Sequence, residues 1–89
     1  MNVISLPALI AKVAHRCKID PENLKSASKE RAVTEARRVV SYIAVRKLGY
    51  KCTGVSKAMG VSAATVSKAV SLGGELPEIG KIQAQILGN

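Results

Sequence analysis

The chain has 89 residues, which is room for one small domain with a single modest core, over residues 1–89, and too little for two. It has no Trp, no Phe and two Tyr, so that core must be aliphatic, a composition that suits interlocking helices. The net charge is +8, and ten basic residues against two acids between Asn23 and Val70 carry the whole excess, which favours a polyanionic partner over a merely solvated basic surface.

The first predicted helix begins at Ser5 as cap, with Pro7 in its opening turn. Leu6, Leu9, Ile10, Val13, Ala14 and Cys17 recur at helical spacing, and Lys12 and Arg16 take the other face. Asp20-Pro21-Glu22 supplies a cap, a helix-starting proline and a first-turn acid for a short second helix anchored by Leu24. Lys25 to Lys29 is small and polar and reads as a basic loop. Ser28 is then the expected cap of a long helix from about Glu30 to about Leu48. Its buried stripe is Val33, Ala36, Val40, Ile43 and Ala44, with Val39 beside it, and Gly49 is its stop.

A helix-turn-helix follows, at about 53–72. Thr53 is the expected cap of the supporting helix, Val55 and Met59 lie one turn apart, and Ser56 is small enough for a helix crossing. Gly60 suits the left-handed end of that helix, and Ser62 suits the cap of the next. Val61, Val66, Ala69 and Val70 then face the core, leaving Ala63, Ala64, Ser67 and Lys68 outward. A face of small and basic side chains lets a helix approach a duplex closely. Gly73-Gly74 ends the second helix, and a terminal helix over about 77–87 carries Ile79, Ile82, Ile86 and Leu87.

Cys17 and Cys52 have no CxxC spacing, and with His15 they make no metal site; both are expected to be reduced, in a cytoplasmic protein. No nucleophile pairs with His15, and no two acids have a spacing suited to acid–base chemistry, so no enzyme and no cofactor is expected. No signal peptide is expected, and no apolar run comes near membrane-spanning length.

The motifs Lys29-x-Arg31-x-Val33, Ala36-Arg37-x-Val39-x-x-Tyr42-x-Ala44 and Thr65-Val66-x-x-Ala69-Val70 run through the chain. On these, and over nearly its whole length, the chain resembles the C-terminal duplex-binding domain of the replication initiator DnaA (domain IV), an all-α, Trp-repressor-like fold with a helix-turn-helix. It is closer still to the DnaA-like domain of bacterial transposase-like proteins related to REP-associated tyrosine transposases. Ala36-Arg37, Ala44-Val45-Arg46-Lys47-Leu48-Gly49 and Thr65-Val66-Ser67-Lys68-Ala69-Val70 carry that likeness. Two departures stand out. The family's acid and histidine at the start of the recognition helix are replaced by Ser62 and Ala63, after a turn about one residue shorter. No GxxxxGK[ST] loop is present, so the chain has no ATPase of its own.

The resemblance implies that Arg31 enters a minor groove, that Ala63, Ala64 and Thr65 face bases in the major groove, that Arg46 touches phosphate, and that Thr53 approaches the backbone. The residues themselves add Ser62, Ser67 and Lys68 on the recognition helix. Lys29, Arg37, Arg38 and Lys57 are further phosphate-contact candidates. Thr65 can offer either a methyl to thymine or a hydroxyl to phosphate. Tyr42 and Tyr50 read as core-edge residues. The expected function is double-stranded DNA binding in the nucleoid. The alternatives are an RNA-binding module, for which the chain has almost no stacking aromatics, and a protein-interaction module docking through Pro77–Leu87.

Overall fold

In the computed structural model, which describes residues 4–24 and 30–87, Ser5 opens the first helix as its spacing predicts. Its Oγ accepts the Ala8 N–H at 3.3 Å and starts α1 (Leu6–Cys17). α1 ends on Lys18, which is left-handed at φ 60° without being glycine. Such a residue costs about 1–2 kcal/mol. The turn it makes lets the Ile19 N–H reach Ala14 O at 2.9 Å and brings Ile19 against the core. Asp20 Oδ1 then accepts the Glu22 N–H at 2.9 Å, opening α2 (Pro21–Leu24), whose Leu24 is fully buried.

Lys25–Lys29, with the expected basic loop and the Ser28 cap, lie outside the described residues. The cap position of the long helix is Glu30, whose side chain makes no capping bond. α3 (Arg31–Tyr42) passes into a π-helical turn over Ile43–Lys47. The predicted stripe of Val33, Ala36, Val40, Ile43 and Ala44 is buried throughout, and Val39 with it. Ser41 is buried as well, which a single apolar stripe does not suggest. α3 is the hub of the fold: it packs against α1, α2 and, most extensively, α5, so more than one face is covered. Gly49, at φ 78°, stops the π turn, and the Tyr50 N–H closes back onto Ala44 O at 2.9 Å. Tyr50 is half-buried, with its hydroxyl donating to Ile4 O at 2.9 Å.

The supporting helix α4 (Cys52–Met59) starts two residues earlier than a Thr53 cap implies. Lys51 holds the cap position, and Thr53 lies inside the first turn, so Thr53 is not the cap. The next helix, α5 (Ala63–Gly74), runs through both glycines that were read as its stop. Gly73 is buried where α5 crosses α3: a Cβ there would lie 2.8 Å from Tyr42 Cβ and closer still to Arg38 O. The glycine therefore permits close approach of two backbones rather than a turn. α6 (Ile79–Leu87) begins two residues later than Pro77 and lays Ile86 against α1. No strand occurs among the described residues.

Candidate nucleic-acid interface

Local chemistry builds the turn between α4 and α5. Gly60 ends α4 in the left-handed region, at φ 69° and ψ 29°, and its N–H bonds Ser56 O. The Val61 N–H bonds the same carbonyl at 3.1 Å. Ser62 is extended, and its Oγ accepts the Thr65 N–H at 3.1 Å, satisfying one of the open donors of α5. The same Oγ lies 2.8 Å from Thr65 Oγ1. Val55 and Met59 on α4 meet Val66 and Val70 on α5 inside the core. Each such buried side chain contributes about 1.5–3 kcal/mol, and together they fix the angle at which α5 is presented.

What α5 presents outward is small. Ala63, Ala64, Thr65, Ser67, Lys68 and Ser71 are all exposed. Lys68 follows Ala64 by one helical turn, about 6 Å along the axis. No aromatic ring and no carboxylate stands on this face before Glu75.

A groove runs along each side of α5. One, of about 200 Å³, lies against α3 and is lined by Thr34, Arg37, Arg38, Thr65, Lys68 and apolar neighbours. The other, of about 430 Å³, lies against the π turn and the start of α4, and is lined by Arg46, Cys52, Ser67, Ser71 and valines. The fold thus sets cations on both flanks of α5, as a helix seated between two phosphate backbones needs.

The sequence-predicted residues divide accordingly. Thr65, Lys68 and Arg38 share the first groove, and Arg46 and Ser67 share the second. Lys57 is exposed in the last turn of α4, and Thr53 is exposed in its first, where its carbonyl accepts the Ser56 hydroxyl at 2.8 Å. Arg31 opens α3, with a side chain 93% exposed; its Nε lies 3.5 Å from Glu35 Oε1, an ion pair along the helix too exposed to hold it firmly. Lys29 lies outside the described residues. Arg37 also lines the first groove, but its guanidinium reaches toward α2: its Nε donates to Leu24 O at 3.2 Å and one terminal nitrogen to Asn23 O at 3.3 Å, tying α3 to the end of α2. Its guanidinium is committed to these carbonyls, which sets it apart from the outward-facing phosphate-contact candidates.

Two groove residues escaped the sequence reading, Thr34 and Ser71. Both were available to it: Ser71 continues the exposed Ser67–Lys68 spacing by one turn, and Thr34 follows Arg31 by one turn.

Away from this face, burial pushes the Cys17 thiol above its ordinary value, with Arg16 opposing and Glu35 adding to the effect. Cys17 and Cys52 are both free. Among the described residues no three His, Cys, Asp or Glu come together as a metal site. No described helix is long and apolar enough to cross a membrane.

The family described as the bacterial dnaA protein helix-turn-helix matches residues 7–72. That span takes in all but the first residue of α1, then α2 to α4 and most of α5, and leaves α6 outside it. No curated protein and no solved structure gives a match.

Proposed function

The chain belongs to the family of bacterial DnaA helix-turn-helix domains, and from that premise we propose that it binds double-stranded DNA with α5 in the major groove and Arg31 in the adjacent minor groove. The observation that carries this reading is the pair of cation-bearing grooves flanking an α5 whose outward face is free of bulk. Arg38 and Lys68 on one side, and Arg46 on the other, are set to meet the two phosphate backbones. Lys57 on α4 adds a fourth cation. Binding is sequence-preferring and involves no catalysis: base edges are met by α5, and Arg31 favours the narrow, electronegative minor groove of A·T-rich DNA. The motifs shared with transposase-like proteins, above all Ala44-Val45-Arg46-Lys47-Leu48-Gly49, support a role as the DNA-targeting module of such a protein or of a DnaA relative. The site of action is then the nucleoid.

The test is fluorescence anisotropy of a labelled random-sequence duplex pool against a single-stranded RNA pool, at several salt concentrations. Four phosphate contacts give a slope of log K against log salt of about −3.6 for the duplex. Absence of duplex binding at low salt, or tighter binding of the RNA, would overturn the proposal.

A further inference from the structure

We propose that the seam between α1 and α6 is a docking surface for a second copy of this chain, joined about a twofold axis. The division of charge leads there. The positive excess falls between Asn23 and Val70, and the rest of the chain has four basic residues and four acids. At the seam, charge is sorted by sign. One groove, of about 490 Å³, is lined by Lys12, His15 and Arg16 of α1 with Gln85 and Ile86 of α6. A second, of about 370 Å³, is lined by Glu35 and Glu78 over apolar neighbours, among them Cys17, Leu76 and Ile82. Arg16 and Cys17 are consecutive on α1, and Ile82 and Ile86 lie one turn apart on α6. The cationic groove and the anionic groove therefore follow one another along the same pair of helices.

In a twofold pair, every contact of one residue with another is repeated with the roles exchanged, so the surface must complement itself. A cationic groove beside an anionic one does so: rotation about an axis between them lays each over its counterpart on the other copy. A uniformly basic face would repel its own copy; here the charges balance. Leu76 and Ile82 are half-buried, so docking removes apolar area from water. The exposed ion pairs at the edges add little affinity and set the register. No exposed residue of α5 lines either groove, so a pair joined here keeps two α5 faces uncovered. The pairing goes beyond the duplex-binding reading and does not depend on it.

The experiment is sedimentation equilibrium of the chain without DNA. The parent is expected to pass from monomer to dimer at a concentration below about 1 mM. Two charge exchanges then identify the surface. Arg16→Glu puts a carboxylate in the cationic groove, and Glu78→Lys puts an ammonium in the anionic one. Both positions are exposed, so both variants should keep the parent's helical circular dichroism. Each alteration is met twice in a twofold pair, and each variant alone should dimerise about tenfold more weakly or worse. Mixed in equal amounts, the two should pair with each other as strongly as the parent does, because opposite charges then face at both contacts. A parent that stays monomeric at about 1 mM, a variant that pairs as strongly as the parent, or a mixture that pairs no better than either variant alone overturns the inference. None of these results bears on duplex binding, which anisotropy reads separately.

Discussion

Replacing Gly73 with alanine tests how tightly the recognition helix is set on its support. A Cβ at this position would lie 2.8 Å from Tyr42 Cβ and closer still to Arg38 O, and a backbone oxygen cannot swing aside as a side-chain tip can. Ordinary contact begins near 3.4 Å, so α3 and α5 must part by more than half an ångström. Overpacking of this kind costs about 1–3 kcal/mol, and a clash with backbone belongs at the upper end. Alanine recovers about 1 kcal/mol in a helix interior. The net is a destabilisation of about 2 kcal/mol, or a fall in Tm of about 8–16 °C for a domain of this size. Gly80 is the control: it lies within α6, a Cβ there meets nothing within 4 Å, and Gly80→Ala should gain up to about 1 kcal/mol. Thermal and urea unfolding of the two variants, followed by circular dichroism, read both signs. A Gly73→Ala protein as stable as the parent would mean that α5 does not sit against α3 as described.

Other consequences are equally direct. Arg31→Ala should weaken duplex binding by about 1–3 kcal/mol and relax any preference for A·T-rich flanks, measured by anisotropy on matched duplexes; an unchanged affinity removes Arg31 from the interface. Ser41→Ala should raise stability by about 1 kcal/mol in urea unfolding, because the buried Ser41 hydroxyl meets no hydrogen-bond partner among the described residues. The Cys17 thiol, raised by burial, binds its proton more tightly folded than unfolded. Its contribution to stability is therefore level at neutral pH and declines as the pH climbs past the ordinary thiol range. Cys17→Ala should flatten that alkaline decline in a pH series of urea unfolding.

The parts of this fold that were legible in the sequence are those decided within a few residues. Gly60 and Ser62 mark the turn because left-handed backbone and N-capping are local demands, and both sit where they were read. The apolar stripe of α3 was legible for the same reason. The errors arise where distant chain decides. Thr53 has a capping side chain, yet α4 starts at Cys52 with Lys51 at the cap, since the chain leaving Gly49 and Tyr50 is already positioned by Ala44 O. The glycines at 73 and 74 look like a stop; their use is against Arg38 and Tyr42, some thirty residues earlier. Arg37 looks like any cation on a basic helix, and its carbonyl partners on α2 lie 13 and 14 residues back. Of the candidate interface, the exposure of the α5 face was readable by period; the two grooves beside it were not, because each needs a second helix to form its other wall.

The double use of Ser62 Oγ bears on how such a domain changes its target over generations. One oxygen both starts α5 and holds the Thr65 side chain, so variation at either position is filtered first by folding and only then by DNA. Ala63 and Ala64 stand between them under no such filter: they are exposed, and the cap does not pass through their side chains. If α5 enters the groove as proposed, descendants of this chain that come to prefer a new site have the shortest route through positions 63 and 64, with the serine and threonine on either side kept as the frame that makes the exchange safe.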